Sequence, residues 1–272
     1  VRQALPLLGA LIRLAAQALE RTGGLLQRLA LVLNGLLPAL LTPDQLIRLT
    51  RRHYQRSYSS TVTALADEPH LFDLEPWERE VAGRHFLANG RLLALGVGVG
   101  REAFAMARRG LSVVGIDTDA TALAAAARIA RRFGHTVRFV RADLAHLPFR
   151  PASFDSVLLA SVMYSAIPGR AQRQMWLRDL FRILAPEGLV ALSFLTEQEP
   201  QARMTRLREA LARRLARLPG ANPGYQPGDT CPQGHFLHAF QTEQEIRQEL
   251  EEAGVLIREM DSKRGFAVVA KK

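Results

Sequence analysis

The sequence predicts an α/β fold: a mostly parallel sheet covered by helices, closed by an antiparallel hairpin and preceded by a helical cap. Three observations predict it. From Arg91 onward, short apolar runs alternate with helical stretches, the pattern of βαβ units. The first of these runs ends in glycines at alternate positions, Gly96, Gly98 and Gly100, and a helix follows at once. The last two runs are joined only by Asp261-Ser262-Lys263-Arg264, too short a link for the crossover that a parallel pair needs.

The chain opens on two helical patterns. Leu5, Leu8, Ile12, Ala15 and Leu19 follow helical spacing, as do Leu25, Leu26, Leu29, Leu33, Leu36 and Leu37, with Thr22, Gly23 and Gly24 as punctuation between them. Such helices suit a cap packed on the core, or an amphipathic segment that lies on a membrane surface or lines a lipid tunnel. The near-continuous apolar stretch from Leu29 to Leu41 is too short to span a bilayer and holds Asn34, Gly35 and Pro38. No small-residue cleavage site stands out, so no signal peptide is expected and the cytoplasm is the expected compartment. Thr42-Pro43-Asp44 opens a third helix through about Tyr58, with Pro43 suited to its first turn. Residues 59–90 read as a loop plus a short helix from Trp77 to Phe86. The predicted division is a cap over 1–90 and a core over 91–272.

Within the core, strands are expected over 91–95, 111–116, 136–140, 154–160 and 188–195, with helices over 101–109, 119–133 and 170–184. Gly110 and Gly134 stand where helix C-caps belong. An insertion over 197–241 holds an Arg-rich helix (203–217) and a Pro/Gly-rich loop. Thr242, with Glu245 three residues on, opens a helix over 242–253 as a capping box. Strands over 255–260 and 265–270 close the chain. The strand order should reverse beside the first strand and leave a crevice at its carboxyl end.

Composition narrows the field. The 272 residues are 48% hydrophobic and 23% charged, ordinary for a folded domain. The one cysteine, Cys231, excludes intrachain disulfides and Cys-based zinc sites, and no metal is expected. All but three of the 36 basic residues are arginine, and the net charge is +10. Residues 1–90 hold ten basic and eight acidic groups, 91–195 fourteen and seven, and 196–272 twelve and eleven. The helix with Arg203, Arg206, Arg208, Arg213, Arg214 and Arg217 also has an apolar face of Met204, Leu207, Leu211, Leu215 and Leu218. That pattern suits RNA, anionic lipid or plain solvent. No aromatic stacking platform accompanies it, so nucleic acid is the weaker reading.

The chemistry concentrates in Leu92-Leu93-Ala94-Leu95-Gly96-Val97-Gly98-Val99-Gly100. Glycine permits a sharp turn and close approach of a ligand, and the following helix offers free N–H groups. Asp117 ends the second strand, about twenty residues on, where nucleotide folds place a carboxylate on ribose hydroxyls. A carboxylate accepts two hydroxyl hydrogen bonds at once. These features alone fit NAD or S-adenosylmethionine. Further on come Asp143-Leu144-Ala145-His146-Leu147-Pro148-Phe149, then Ser153-Phe154-Asp155-Ser156-Val157, then Leu184-Ala185-Pro186-Glu187-Gly188.

With these motifs in combination, the chain resembles class I S-adenosylmethionine-dependent methyltransferases of the small-molecule type, over about 91–196 and more loosely over 235–270. The fold that this implies is the Rossmann-like class I methyltransferase fold, with S-adenosylmethionine as cofactor. Carried over, the resemblance implies that Gly96, Gly98 and Gly100 line the methionine and ribose part of the cofactor. Asp117 would hold the ribose hydroxyls, and Thr118 would flank the adenine. Asp143 and Leu144 would meet the adenine. Ser161 would face the reactive sulfonium, and Tyr164 and Ser165 would stand on the acceptor side. One departure matters: the family's usual acidic residue is replaced by Ala94.

In such an enzyme the protein aligns an acceptor with the methyl–sulfur bond, and a base is needed only if the acceptor carries a proton. His235 and His238 are the candidate bases, or else loop histidines bonded to backbone. Tyr54 and Tyr58, spaced i and i+4, share a helix face and are lid candidates. The expected partner is a small-molecule acceptor. The rivals are an RNA or protein methyltransferase using the basic face, a non-catalytic cofactor-binding protein suggested by Ala94, and lastly an NAD-dependent oxidoreductase.

Overall fold

The computed structural model describes residues 4–19, 24–65, 73–144, 146–197 and 203–272. In chain order the elements begin with α1 (Ala4–Leu19), α2 (Gly24–Leu40), α3 (Pro43–Leu65) and α4 (Pro76–His85). Next come β1 (Arg91–Leu95), α5 (Arg101–Arg108), β2 (Ser112–Asp117), α6 (Ala120–Phe133), β3 (Val137–Arg141), β4 (Phe154–Leu159), α7 (Arg170–Ile183) and β5 (Leu184–Ser193). The chain ends with β6 (Leu195–Thr196), α8 (Arg203–Leu215), β7 (Asp229–Thr230), β8 (Leu237–Phe240), α9 (Glu243–Glu252), β9 (Val255–Asp261) and β10 (Phe266–Lys271).

These elements form two compact units. The sheet unit comprises Gln55–Tyr164, Gln174–Phe194 and Gln244–Lys272. Its seven strands run in the order β3-β2-β1-β4-β5-β10-β9. Pairing is parallel from β3 to β5 and antiparallel between β10 and both of its neighbours. The order reverses between β1 and β4, so the expected crevice lies beyond the carboxyl end of β1. Leu92, Leu93, Ala94 and Leu95 are at most 1% exposed, which explains why β1 reads as a continuous apolar run rather than an alternating one. Leu92 and Ala94 pack in one cluster with Val81 of α4, Met106 of α5, Val113, Leu158 and Val268.

Two details differ from the expected elements. β5 starts at Leu184, not at 188, because Phe154 pairs with Leu184 before a register shift brings Ser156 opposite Leu189. The Pro186-Glu187-Gly188 turn is therefore a bulge inside the strand, with Glu187 at φ 61°. α3 continues to Leu65, past the predicted end near Tyr58.

The helical unit comprises Val1–Tyr54, Ser165–Arg173 and Leu195–Glu243. Here α2 packs against α1 and α8. A small sheet in the order β6-β8-β7 joins the predicted insertion to Leu195–Thr196 just before it. Backbone bonds fix the insertion to α2: Cys231 N–H donates to the Asn34 carbonyl at 3.0 Å, and Asn222 N–H to the Ala39 carbonyl at 3.0 Å. Asn222 Nδ2 donates to the Pro38 carbonyl at 2.8 Å. Cys231 is fully buried among Leu37, Leu41, Leu46 and Phe236. The insertion and the first two helices are thus one body, and the predicted cap over 1–90 is divided after Tyr54. Among the described residues, no helix is long and apolar enough to cross a membrane.

Candidate active site

The sheet unit gathers the predicted cofactor residues at the carboxyl ends of β1 to β4. The glycine turn leaves β1 with Gly96, Gly98 and Gly100 at φ 65°, 50° and 98°, values that favour glycine. A Cβ on Gly96 would also strike the Met163 thioether, and one on Gly100 would come within 2.7 Å of the Phe104 ring. Asp117 ends β2 beside this turn. Its Oδ2 accepts the Gly98 N–H at 2.9 Å, and its Oδ1 accepts the Asp119 N–H at 2.9 Å. Burial pushes the Asp117 carboxyl up from its ordinary value, and these N–H groups pull against that shift. Thr118, half-buried, follows at once, and its carbonyl accepts from Arg141 Nε at 3.2 Å. Asp143 and Leu144 stand half-buried in the turn after β3, where the His146 N–H donates to the Asp143 carbonyl at 3.0 Å.

The turn after β4 is strained. Ser161, exposed, and Val162 have φ of 54° and 50°, unusual for residues with a Cβ and most of all for a β-branched one. The Val162 N–H donates to Ser193 Oγ at 2.7 Å, which helps to hold the turn. Tyr164, expected on the acceptor side, instead turns inward. Its ring is fully buried, and its hydroxyl donates to Glu249 Oε1 on α9 at 2.9 Å. A phenol so enclosed suits anchoring of the turn to α9 rather than contact with a reacting group.

Carboxylates cluster around the start of α5. Arg101 binds Glu78 with two hydrogen bonds, at 2.8 and 2.7 Å, and Glu78 also caps α4 by accepting the Glu75 N–H at 2.8 Å. Burial raises the Glu102 carboxyl to about 7, against the lowering effect of Arg101; Glu78 and Asp117 add to the rise. Arg101 thus binds Glu78 directly and lies 3.8 Å from Glu102. Ala94 is fully buried in the strand, so nothing at that position replaces the family's acidic group.

The helical unit holds the remaining candidates. His235 stacks on His53 with ring centroids 4.6 Å apart, and Tyr54 lies 5.7 Å from His235. Burial and the neighbouring His53 push His235 down to about 4, so it is neutral near pH 7. Burial also raises the Tyr54 phenol. His238 is fully buried and pairs through Nδ1 with Asp229 Oδ1 at 2.8 Å. Asp229 Oδ2 accepts the Gln226 N–H at 2.9 Å, and Gln226 Oε1 accepts from the fully buried Arg173 at 2.9 Å. The side chain of Tyr58 lies outside the described residues. Among the described residues, no cluster of metal-ligating groups occurs.

Sequence reasoning missed Asp229, Glu249 and Met163. Asp229 sits in a Pro/Gly-rich loop, and only the fold of β7 against β8 brings it to His238. No local spacing carries that signal.

The comparisons match this geometry. Residues 93–192 match the methyltransferase domain family. This stretch is a methyltransferase domain. A region of 107 residues is 39% identical to a demethylmenaquinone methyltransferase of Thermus thermophilus, covering 38% of this chain and 47% of that protein. An uncharacterized protein of Haemophilus influenzae is 30% identical over 113 residues, or 40% of this chain and 44% of that protein. The chain thus matches under half the length of these relatives. A methyltransferase structure from Methanosarcina mazei has a TM-score of 0.55 at 20% identity, covering 73% of this chain and 98% of that one. A Burkholderia thailandensis N1-methyltransferase, solved with 1,6-didemethyltoxoflavin and S-adenosylhomocysteine, has a TM-score of 0.56 at 18% identity, covering 84% and 88%. At these identities the likeness is one of fold.

The methyltransferase domain's own residues fit the cofactor. The Asp117 carboxylate keeps lone pairs for a ribose diol beyond the two backbone donors already placed.

Proposed function

We propose that the protein transfers a methyl group from S-adenosylmethionine to a small-molecule acceptor. The observation that carries this reading is the Gly98 N–H. In a dinucleotide fold the glycine-turn N–H groups receive a diphosphate. Here that N–H donates to the Asp117 carboxylate, which disfavours a phosphate at the same place.

When bound, the cofactor supplies a methyl group already activated by its sulfonium. The chain's contribution is then largely binding and orientation. Asp117 holds the ribose hydroxyls, and Gly96, Gly98 and Gly100 let the backbone approach the ligand. Thr118, Asp143 and Leu144 contact the adenine, and Ser161 faces the reacting end. Tyr164 holds the turn after β4 in place through Glu249. His238, fully buried, is held on Asp229 and fixes β8 within the helical unit. His235, neutral and stacked on His53, presents an aromatic face with Tyr54 in the helical unit. The relative named for demethylmenaquinone supports an acceptor of small-molecule class.

The test is transfer of a labelled methyl group to fractionated small molecules, protein and RNA. Label is expected in the small-molecule fraction. His238→Ala is expected to destabilise the protein by about 1–3 kcal/mol through loss of the buried pair with Asp229, as thermal unfolding would show. Label in RNA or protein instead would overturn the acceptor class. An unchanged thermal transition would mean that the pair carries little of the unit's stability.

A further inference from the structure

The helical unit is much more basic than the sheet unit. It holds fifteen basic and seven acidic residues, an excess of +8, against twenty-one and nineteen, an excess of +2, in the sheet unit. It also carries seven of the ten exposed large apolar side chains among the described residues: Leu11, Leu14, Leu29, Leu31, Leu207, Leu211 and Leu218.

α8 combines both features on one surface. Its inward side is set by Ala212 and Ala216, the latter just past the helix end, which pack with Leu36 and Ala39 of α2 and with Tyr225. Its one acidic residue, Glu209, is 4% exposed and accepts the Gly228 N–H at 3.3 Å. The outward side therefore carries no negative charge. There Leu207 and Leu211, 61% and 46% exposed, stand one turn apart in line with Arg214. Arg206 and Arg213, both exposed, form a row about a quarter-turn to one side. On a face made only for water, exposed leucines gain nothing. Leucines flanked by long arginines suit an interface, where the leucines leave water and the guanidinium groups reach phosphate. A nucleic-acid backbone would use the arginines and leave the leucines exposed.

We propose that the outward face of α8 docks the protein on an anionic lipid surface, with Leu207 and Leu211 inserted at the acyl boundary and Arg206, Arg213 and Arg214 on lipid phosphates. The binding is peripheral and depends on both apolar and electrostatic contacts.

The experiment is co-sedimentation of the full chain with vesicles of phosphatidylcholine alone and of phosphatidylcholine mixed with phosphatidylglycerol, at low and high salt. The protein is expected on the anionic vesicles and not on the neutral ones, and salt should release it. Leu207→Ser/Leu211→Ser and Arg213→Gln/Arg214→Gln are each expected to weaken binding by about tenfold or more. These positions are exposed, and an unchanged thermal transition checks that each variant folds. Undiminished binding by the folded leucine variant would overturn the proposal. So would the absence of vesicle binding at low salt, with or without binding to single-stranded RNA.

Discussion

Replacing Asp117 with alanine is expected to weaken binding of S-adenosylhomocysteine by about a hundredfold. Two hydrogen bonds from ribose hydroxyls to a carboxylate contribute together about 3 kcal/mol, which sets that ratio. The loss has a second source. The Asp117 carboxylate ties the Gly98 and Asp119 N–H groups at 2.9 Å each, so its removal also frees the turn that shapes the pocket. Asp117→Asn separates the two effects. The amide keeps one acceptor oxygen for the turn but cannot accept two hydroxyls as a carboxylate does, and about a tenfold loss is expected. Calorimetric titration reads both. Alanine-variant affinity equal to that of the natural protein would remove Asp117 from the site.

The second large effect concerns pH. Burial raises Glu102 from the ordinary 4.5 to about 7 in the folded protein. The folded state then binds the proton more tightly than the unfolded chain does. The stabilisation that this gives is complete below pH 4.5 and is lost as pH rises towards 7. Above that range, ionised Glu102 costs on the order of 3 kcal/mol. Glu102→Gln removes the titration and keeps the size. The variant is expected to be more stable than the natural protein by about 3 kcal/mol near pH 8, and nearly equal to it near pH 4. Thermal or urea unfolding across that range checks the sign. A variant less stable at high pH would mean that ionised Glu102 is held favourably by Arg101, 3.8 Å away.

Much of this was legible in the sequence because it is local. The apolar runs from 91 to 196 follow strand and helix periods, and the four-residue link before Gly265 forces a hairpin. Glycines followed by a helix mark the turn at the end of β1. Asp117 was legible because strand length fixes how far down the chain the next carboxyl edge falls. What the sequence hid depends on contacts between distant residues. Tyr164 follows Ser161 in a loop that reads as open, yet the strained turn aims its ring at Glu249, 85 positions away. Asp229 becomes His238's partner only when β7 pairs with β8. The charge misled in the same way. Counted along the chain, the excess falls on residues 91–195, but the fold collects +8 in the helical unit, because residues 1–54 hold +5 once the net acidic 55–90 goes to the sheet unit, and α7's first turn adds two arginines.

The central claim is that the glycine turn holds a sulfonium-type cofactor and not a dinucleotide. The most direct measurement is calorimetric titration of the natural protein with S-adenosylhomocysteine and, separately, with NADH. One equivalent of S-adenosylhomocysteine should bind with about micromolar affinity, and NADH should not bind. NADH binding with no response to S-adenosylhomocysteine would contradict it.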